Sequence, residues 1–254
     1  HYMPDLAQPA VLRGCWQKLE PLASQLVSVV WNGRHPLLGQ AAVRRALAAL
    51  LDRQKLLRDA RMGLGSLDVL LQPAPKLLPI EAGLLLDAAQ VLRAAPGSAR
   101  LWQGRLLLLK LLVPQGSQEL MDLATRIAES LAQAGIKVEP EVVELSALLA
   151  RLRRGAFDVA LLGWGWTGSD RLFDPEPLLH YAYPDSHPLW QSLAGKLADW
   201  QQSGDPQALS EVWQREEPLT LLYRPRQLLL LQPGVVTTPK AGFIDLRQIH
   251  LTGP

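Results

Sequence analysis

Between Arg105 and Leu145 the chain carries a pattern that few folds accommodate. RLLLLKLLV, from Arg105 to Val113, reads as a buried strand, and Ile136 to Leu145 reads as another. Between them Ser117 to Ala134 is helical. Leu120, Leu123, Ala124, Ile127, Leu131 and Ala134 recur at steps of three and four, while Glu119, Asp122, Arg126 and Glu129 fall on the other face. Gly135 closes that helix. A strand, a crossover helix and a second strand form a parallel pair with right-handed connection. The predicted class is therefore α/β, with a mixed, mainly parallel sheet flanked by helices. Ser146 to Arg154 adds a short helix ended by Gly155, and Phe157 to Trp164 (FDVALLGW) adds a further strand.

That last strand runs into GWGWTG, Gly163 to Gly168, which has the letters of a dinucleotide-binding fingerprint. The fingerprint requires a helix opening at its third glycine. Here SDRLFDPEP follows, Pro175 and Pro177 forbid a regular helix, and Trp164 stands where backbone should lie open to phosphate. A nucleotide is not expected. The carboxyl end of a strand in an open α/β sheet is nonetheless where ligands collect. The predicted ligand-binding residues are Trp164 and Trp166 as flat apolar walls, with Thr167, Ser169 and Asp170 as polar heads. Read as structure alone, the two tryptophans fill core beneath a turn.

The 254 residues, 48% of them hydrophobic, suffice for one large domain or two modest ones. Twenty-six Lys and Arg against 24 Asp and Glu leave a net charge of +2, too little to gather nucleic acid, which is not an expected partner. The single Cys15 excludes an internal disulfide and a thiolate cluster. HYMPDLAQPA at the start carries no charged region followed by an apolar core. The most apolar runs, Arg105 to Val113 and Arg226 to Val236, fall short of the roughly 20 residues of a membrane helix.

Elsewhere Gln25 to Asn32 reads as a strand, and Gln40 to Arg61 as one long helix with Val43, Ala46, Leu47, Leu50, Leu51 and Leu57 on its apolar side. Arg44, Arg45, Arg53, Lys55 and Arg58 read as its solvated face. A long loop spans Gly63 to Pro79, and Glu81 to Arg93 resumes a helical pattern. No catalytic set is found. Ser66 in GLGSLD lacks the final glycine of a nucleophile elbow, and Glu216 and Glu217 read as surface charge. His180, Asp185 and His187 read as a packed surface loop, so neither metal nor cofactor is expected.

Three stretches resemble the family 5 solute-binding proteins. VVWNGRHPLL followed by AAVRRALAALLDRQKLL is similar to the family's N-x-x-x-P-[FL] element and its V-R-x-A-L-x-x-A-[IL]-D-R helix. Leu106 to Asp170 is similar to its second-lobe βαβ core and G-W-x-x-D ligand loop, and PLTLLYRPRQLLLLQPGVV to its return strand. Ile80 to Leu92 resembles the A-x-x-L-L-x-x-A-G helix, with Gln90 where glycine is usual. The resemblance implies a periplasmic-binding-protein-like (type II) lobe and a peptide or similar small solute held between two lobes. Delivery to the permease of an ABC importer and a periplasmic or extracytoplasmic location follow from it. Asp170 is the residue nearest to the family's ammonium-binding aspartate, one residue out of place, and VPQGS at Val113 to Ser117 lacks the arginine with which some members hold a carboxylate.

Family members are typically about twice as long, which makes this chain their C-terminal half. Residues 34–216 are then the second lobe, with 1–33 and 217–254 as remnants belonging with a missing first lobe. Exposed apolar strands in those remnants, open to self-association, are expected. The alternative is the effector domain of a cytoplasmic transcriptional regulator, a use of the same fold. An enzyme is not expected.

Overall fold

The structure, a computed structural model, describes residues 17–19, 25–61, 63–67, 77–165, 175–203, 205, 207–226, 229–231, 235–236 and 250–251. The first half contains β1 (Gln17–Leu19), β2 (Gln25–Trp31), α1 (Ala41–Ala49), α2 (Arg53–Arg61), β3 (Gly65–Ser66), α3 (Pro79–Ala88), β4 (Val91–Arg93), β5 (Arg100–Trp102), β6 (Arg105–Leu106) and β7 (Leu108–Pro114). Then follow α4 (Gln118–Gln133), β8 (Lys137–Val143), α5 (Leu145–Arg154), β9 (Val159–Gly165), α6 (Glu176–Ala182), α7 (Pro188–Ser203), α8 (Gln207–Glu216), β10 (Leu219–Pro225), β11 (Leu229–Leu231), β12 (Val235–Val236) and β13 (His250–Leu251).

Six strands form the main sheet in the order β3-β10-β2-β9-β7-β8. The βαβ unit stands as read: β7 and β8 pair in parallel from Leu108↔Lys137 to Pro114↔Val143, and α4 crosses between them. Ser117 Oγ accepts the Leu120 amide, and Gly135 takes φ 81° after the helix, where a Cβ would lie 2.6 Å from the Ser98 carbonyl oxygen. The sheet is mixed, but its parallel part is confined to β9, β7 and β8. The pairs β9–β2, β2–β10 and β10–β3 are antiparallel. The run Arg105 to Val113 is not one strand: β6 turns back on β5 in a separate three-stranded sheet, β4-β5-β6, and β7 starts afresh at Leu108.

Alternation along the strands divides two cores. Val27, Val29, Trp31, Leu109, Leu111, Val159 and Leu161 face α1 to α4, while Leu26, Val30, Leu112, Ala160 and Leu162 face α5 to α8. The exposed apolar face expected on the N- and C-terminal strands is absent from β2 and β10. Both are buried along almost their whole length, because β2 lies between β9 and β10 near the middle of the sheet. The outer edge of β10 carries the short β3 only at Arg224 and Pro225, and side chains cap it farther back: Arg53 Nε donates to the Leu222 carbonyl (3.1 Å) and Trp213 Nε1 to that of Leu219 (3.0 Å).

The long helix expected from Gln40 to Arg61 is two. Leu50 to Asp52 break it, and Asp52 caps α2 by accepting the Lys55 amide at 3.0 Å. Its expected solvated face holds at Lys55 and Arg58, which are exposed, and fails at Arg44, which is 1% exposed. Arg44 Nη1 donates to the carbonyls of Leu38 and Gly39 (both 2.8 Å), Nη2 to Glu216 (2.7 Å), and Nε to Glu216 and Glu217 (3.2 and 3.1 Å). Asn32 works similarly. Its Nδ2 donates to the carbonyls of Gly155 and Phe157 (3.1 and 2.5 Å), locking the α5–β9 turn against the end of β2.

Glu217, read as surface charge, is 7% exposed. Its φ of 45° turns the chain out of α8, and its Oε1 accepts from Thr220 Oγ1 (2.9 Å), which in turn accepts from Trp31 Nε1 (2.9 Å). Burial pushes its carboxyl up to about 7, against the smaller opposing effects of the Thr220 hydrogen bond and of Arg53, Arg44 and Arg45. The helical reading of Glu81 to Arg93 fails at Gln90, whose φ of 61° ends α3 and starts β4. This is the position where the resembling family usually has glycine.

Two outcomes follow. Gln90→Gly should leave the fold intact and raise unfolding free energy by about 0.5–1 kcal/mol in urea titration, since a left-handed backbone costs a side-chain-bearing residue more than glycine. For Glu217 a folded pKa above the unfolded value contributes stability that is present below about pH 4.5 and lost as pH rises through about 7. Glu217→Gln should therefore match the native chain near pH 4.5 and exceed it by about 3–3.5 kcal/mol at pH 8.5, at roughly 1.4 kcal/mol per pH unit.

Candidate functional site

Four strands bring their carboxyl ends to one edge of the sheet: β7 at Pro114, β8 at Val143, β9 at Gly165 and β10 at Pro225. The amino end of β2 joins them, with Gln25 opposite Gly165, Leu26 opposite Trp164 and Val27 opposite Gly163. The first half of the GWGWTG loop is thus strand: Gly163, Trp164 and Gly165 are the last three residues of β9. Trp164 is half-buried and packs against the core beneath α5 to α8, leaving the remainder of its ring at the edge. Of the other predicted site residues, Trp166, Thr167, Ser169 and Asp170 lie outside the described residues.

Gly163 has a steric reason that its place in a fingerprint did not supply. A Cβ there would lie 2.1 Å from Gln25 Nε2, so the exposed Gln25 side chain crosses the strand where Gly163 has none. Gln25 enters the edge through strand register, which no local motif signals.

A second group at this edge also escapes sequence reading. Glu119, in the first turn of α4, accepts from Arg61 Nη1 (2.5 Å) and from the Tyr223 hydroxyl (3.0 Å), and Arg61 Nη2 donates to the Arg226 carbonyl (2.7 Å). The Tyr223 hydroxyl is pushed far above its usual range by burial first, then by the Glu119 charge and its hydrogen bond. These contacts tie α2, α4 and β10 together at the edge.

The remaining sequence candidates are dispersed. His180 Nδ1 lies 3.1 Å from Asp185 and its Nε2 3.6 Å from Glu176, while His187 Nδ1 accepts the Leu189 amide and its ring packs on Tyr183. Among the described residues no group of three His, Cys, Asp or Glu side chains is placed to hold a metal ion. Ser66 is a ladder residue of β3 opposite Arg224.

The family model described as bacterial extracellular solute-binding proteins, family 5 Middle, matches residues 17–185. The chain belongs to this family. No curated protein matches the family 5 chain. Among solved structures, the oligopeptide-binding protein AppA from Bacillus subtilis, in complex with a nonapeptide, is 19% identical with a TM-score of 0.70, over 94% of this chain and 53% of AppA. NikA from Brucella suis, in complex with Fe(III)-EDTA, is 20% identical with a TM-score of 0.74, over 94% of this chain and 53% of NikA. A dipeptide-binding protein from Pseudoalteromonas sp. SM9913, in complex with Met-Leu, is 16% identical with a TM-score of 0.68, over 97% and 52%. The likeness is one of fold, that of type II periplasmic-binding-protein-like proteins. The family 5 chain spans about half the length of these structures. Among the described residues no helix is long and apolar enough to cross a membrane.

At the edge itself, Gly163→Ala should keep the fold and change unfolding free energy by less than about 1 kcal/mol, because the clash falls on the far end of a flexible side chain. The displaced Gln25 amide should register as a local NMR shift change at Gln25 and Gly165.

Proposed function

We propose that this chain is the C-terminal, ligand-binding half of a two-lobed solute-binding protein that captures a peptide or similar small solute and passes it to an ABC importer outside the cytoplasm. The observation that carries the reading is Trp164, half-buried on the last turn of β9 at the carboxyl edge of the sheet, in a chain of family 5. Gly163 to Gly168 form one wall of the cleft, with Trp164 and Trp166 lying flat against ligand. Thr167 and Ser169 supply hydrogen bonds, and Asp170 takes a ligand ammonium. The pair β1 and β11, with Gln17 opposite Leu231, supports an incoming and an outgoing segment that run side by side toward the first lobe. In this reading residues 34–216 remain the body of the lobe, and β2 and β10 complete its sheet from the flanking segments. The protein binds and releases without turnover.

Asp170→Asn in the intact two-lobed protein should weaken amine-bearing ligands by about 2–4 kcal/mol, as for other truncated buried charge pairs, when a peptide library is titrated calorimetrically. Unchanged affinity for every amine-bearing peptide would place recognition elsewhere.

A further inference from the structure

We propose a second small-molecule site, at the opposite end of the sheet from the GWGWTG loop, that takes the carboxylate of a free amino acid. A cavity of about 450 Å³ opens there between the ends of α1 and α4, helix α3 and the strands β4 and β5. The end is the opposite one because α4 finishes beside it, just ahead of the first residue of β8, a strand parallel to β9 through β7.

Arg93 and Arg100 both line the cavity and stand directly opposite each other in the β4–β5 ladder. Two like charges in that relation repel unless something negative lies between or beside them. Arg100 is partly compensated. It is 5% exposed; its Nε donates to the Ala134 carbonyl (3.1 Å), and its Nη1 donates to Asp87 (2.6 Å) and to the Val91 carbonyl. Its Nη2 has no acceptor among the described residues. Arg93 makes one long hydrogen bond, Nη2 to the Gln133 carbonyl at 3.4 Å, and among the described residues it has no ion pair.

Gly83 leaves this Nη2 open. It sits inside α3, where glycine costs about 1 kcal/mol relative to alanine, and its absent side chain would begin 3.5 Å from Arg100 Nη2. Any larger residue fills the cavity from that wall. Guanidinium nitrogens on neighbouring strands match the two oxygens of a carboxylate. A dianion is disfavoured because Asp52 lines the same space and the negative C-terminal ends of α1 and α4 border it. The same negative groups favour an ammonium on the ligand's other end, which selects an amino acid over phosphate.

Calorimetry and NMR shift mapping on the whole 254-residue chain, with free glycine and with inorganic phosphate as probes, test this. Glycine should saturate with a dissociation constant in about the millimolar range, shifting Gly83, Arg93 and Arg100, and phosphate should not bind. Arg93→Gln and Gly83→Leu should each weaken glycine by about tenfold or more. Should Gly83→Leu fail to fold, Arg93→Gln alone decides. No saturable glycine binding, phosphate binding as tightly as glycine, retention of binding by Arg93→Gln, or shifts confined to the edge around Gly165 would each overturn the site.

Discussion

One guanidinium holds the molecule closed at the amino end of its parallel strands. Arg44 belongs to α1 on one side of the sheet, yet its donors reach the end of α8 on the other, and its Cζ lies 5.5 Å from the centre of the Tyr183 ring. The carbonyls it satisfies, at Leu38, Gly39, Glu216 and Glu217, lie in chain turns that neither helix nor sheet completes. Buried acceptors of this kind cost about 1–3 kcal/mol each when left alone, so the two layers meet stably here only around that cation. Glu217 lies within the same ring of arginines, and its hydrogen bond through Thr220 to Trp31 carries the arrangement into the central strand.

The motifs that tie this chain to its family are in large part such fasteners. Asn32 locks the turn into β9, Arg44 joins the layers, Asp52 caps α2, and Arg53 covers the outer edge of β10. None of these four touches the edge where Trp164 ends β9. A match built on them speaks to architecture, and the ligand has to be argued from the residues that follow Gly163.

What the sequence revealed depended on whether its signal was local. The βαβ unit was legible because α4 has a clean helical period and a glycine stop, and β9 because its apolar run ends in glycines. The break at Leu50 to Asp52 was not, since the apolar period runs through it without proline or glycine. Arginine at position 44 looks like any solvated cation, and Glu217 like its half-buried neighbour Glu216; only a left-handed turn and partners far along the chain put Arg44 and Glu217 inside. Gln25, Arg61, Glu119 and Tyr223 reach the candidate edge through register and packing over long separations, which composition and spacing do not encode. Trp164 was legible as a residue of that edge, and its half-buried state joins the two sequence readings of it, as wall and as core.

The central position of β2 has a consequence for how the chain is made. Its neighbours β9 and β10 come from far downstream, and the bond from Trp31 to Thr220 spans 189 residues. β2 precedes both partners in the chain and has neither until the βαβ segment and β9 have been synthesised. The unit β7–α4–β8 pairs over a short stretch of chain, whereas pairing β2 with β9 and with β10 must close very long loops. Until both partners are in place an apolar strand keeps a bare edge open to other chains, so the strand best protected in the folded chain is the one most in need of protection before it.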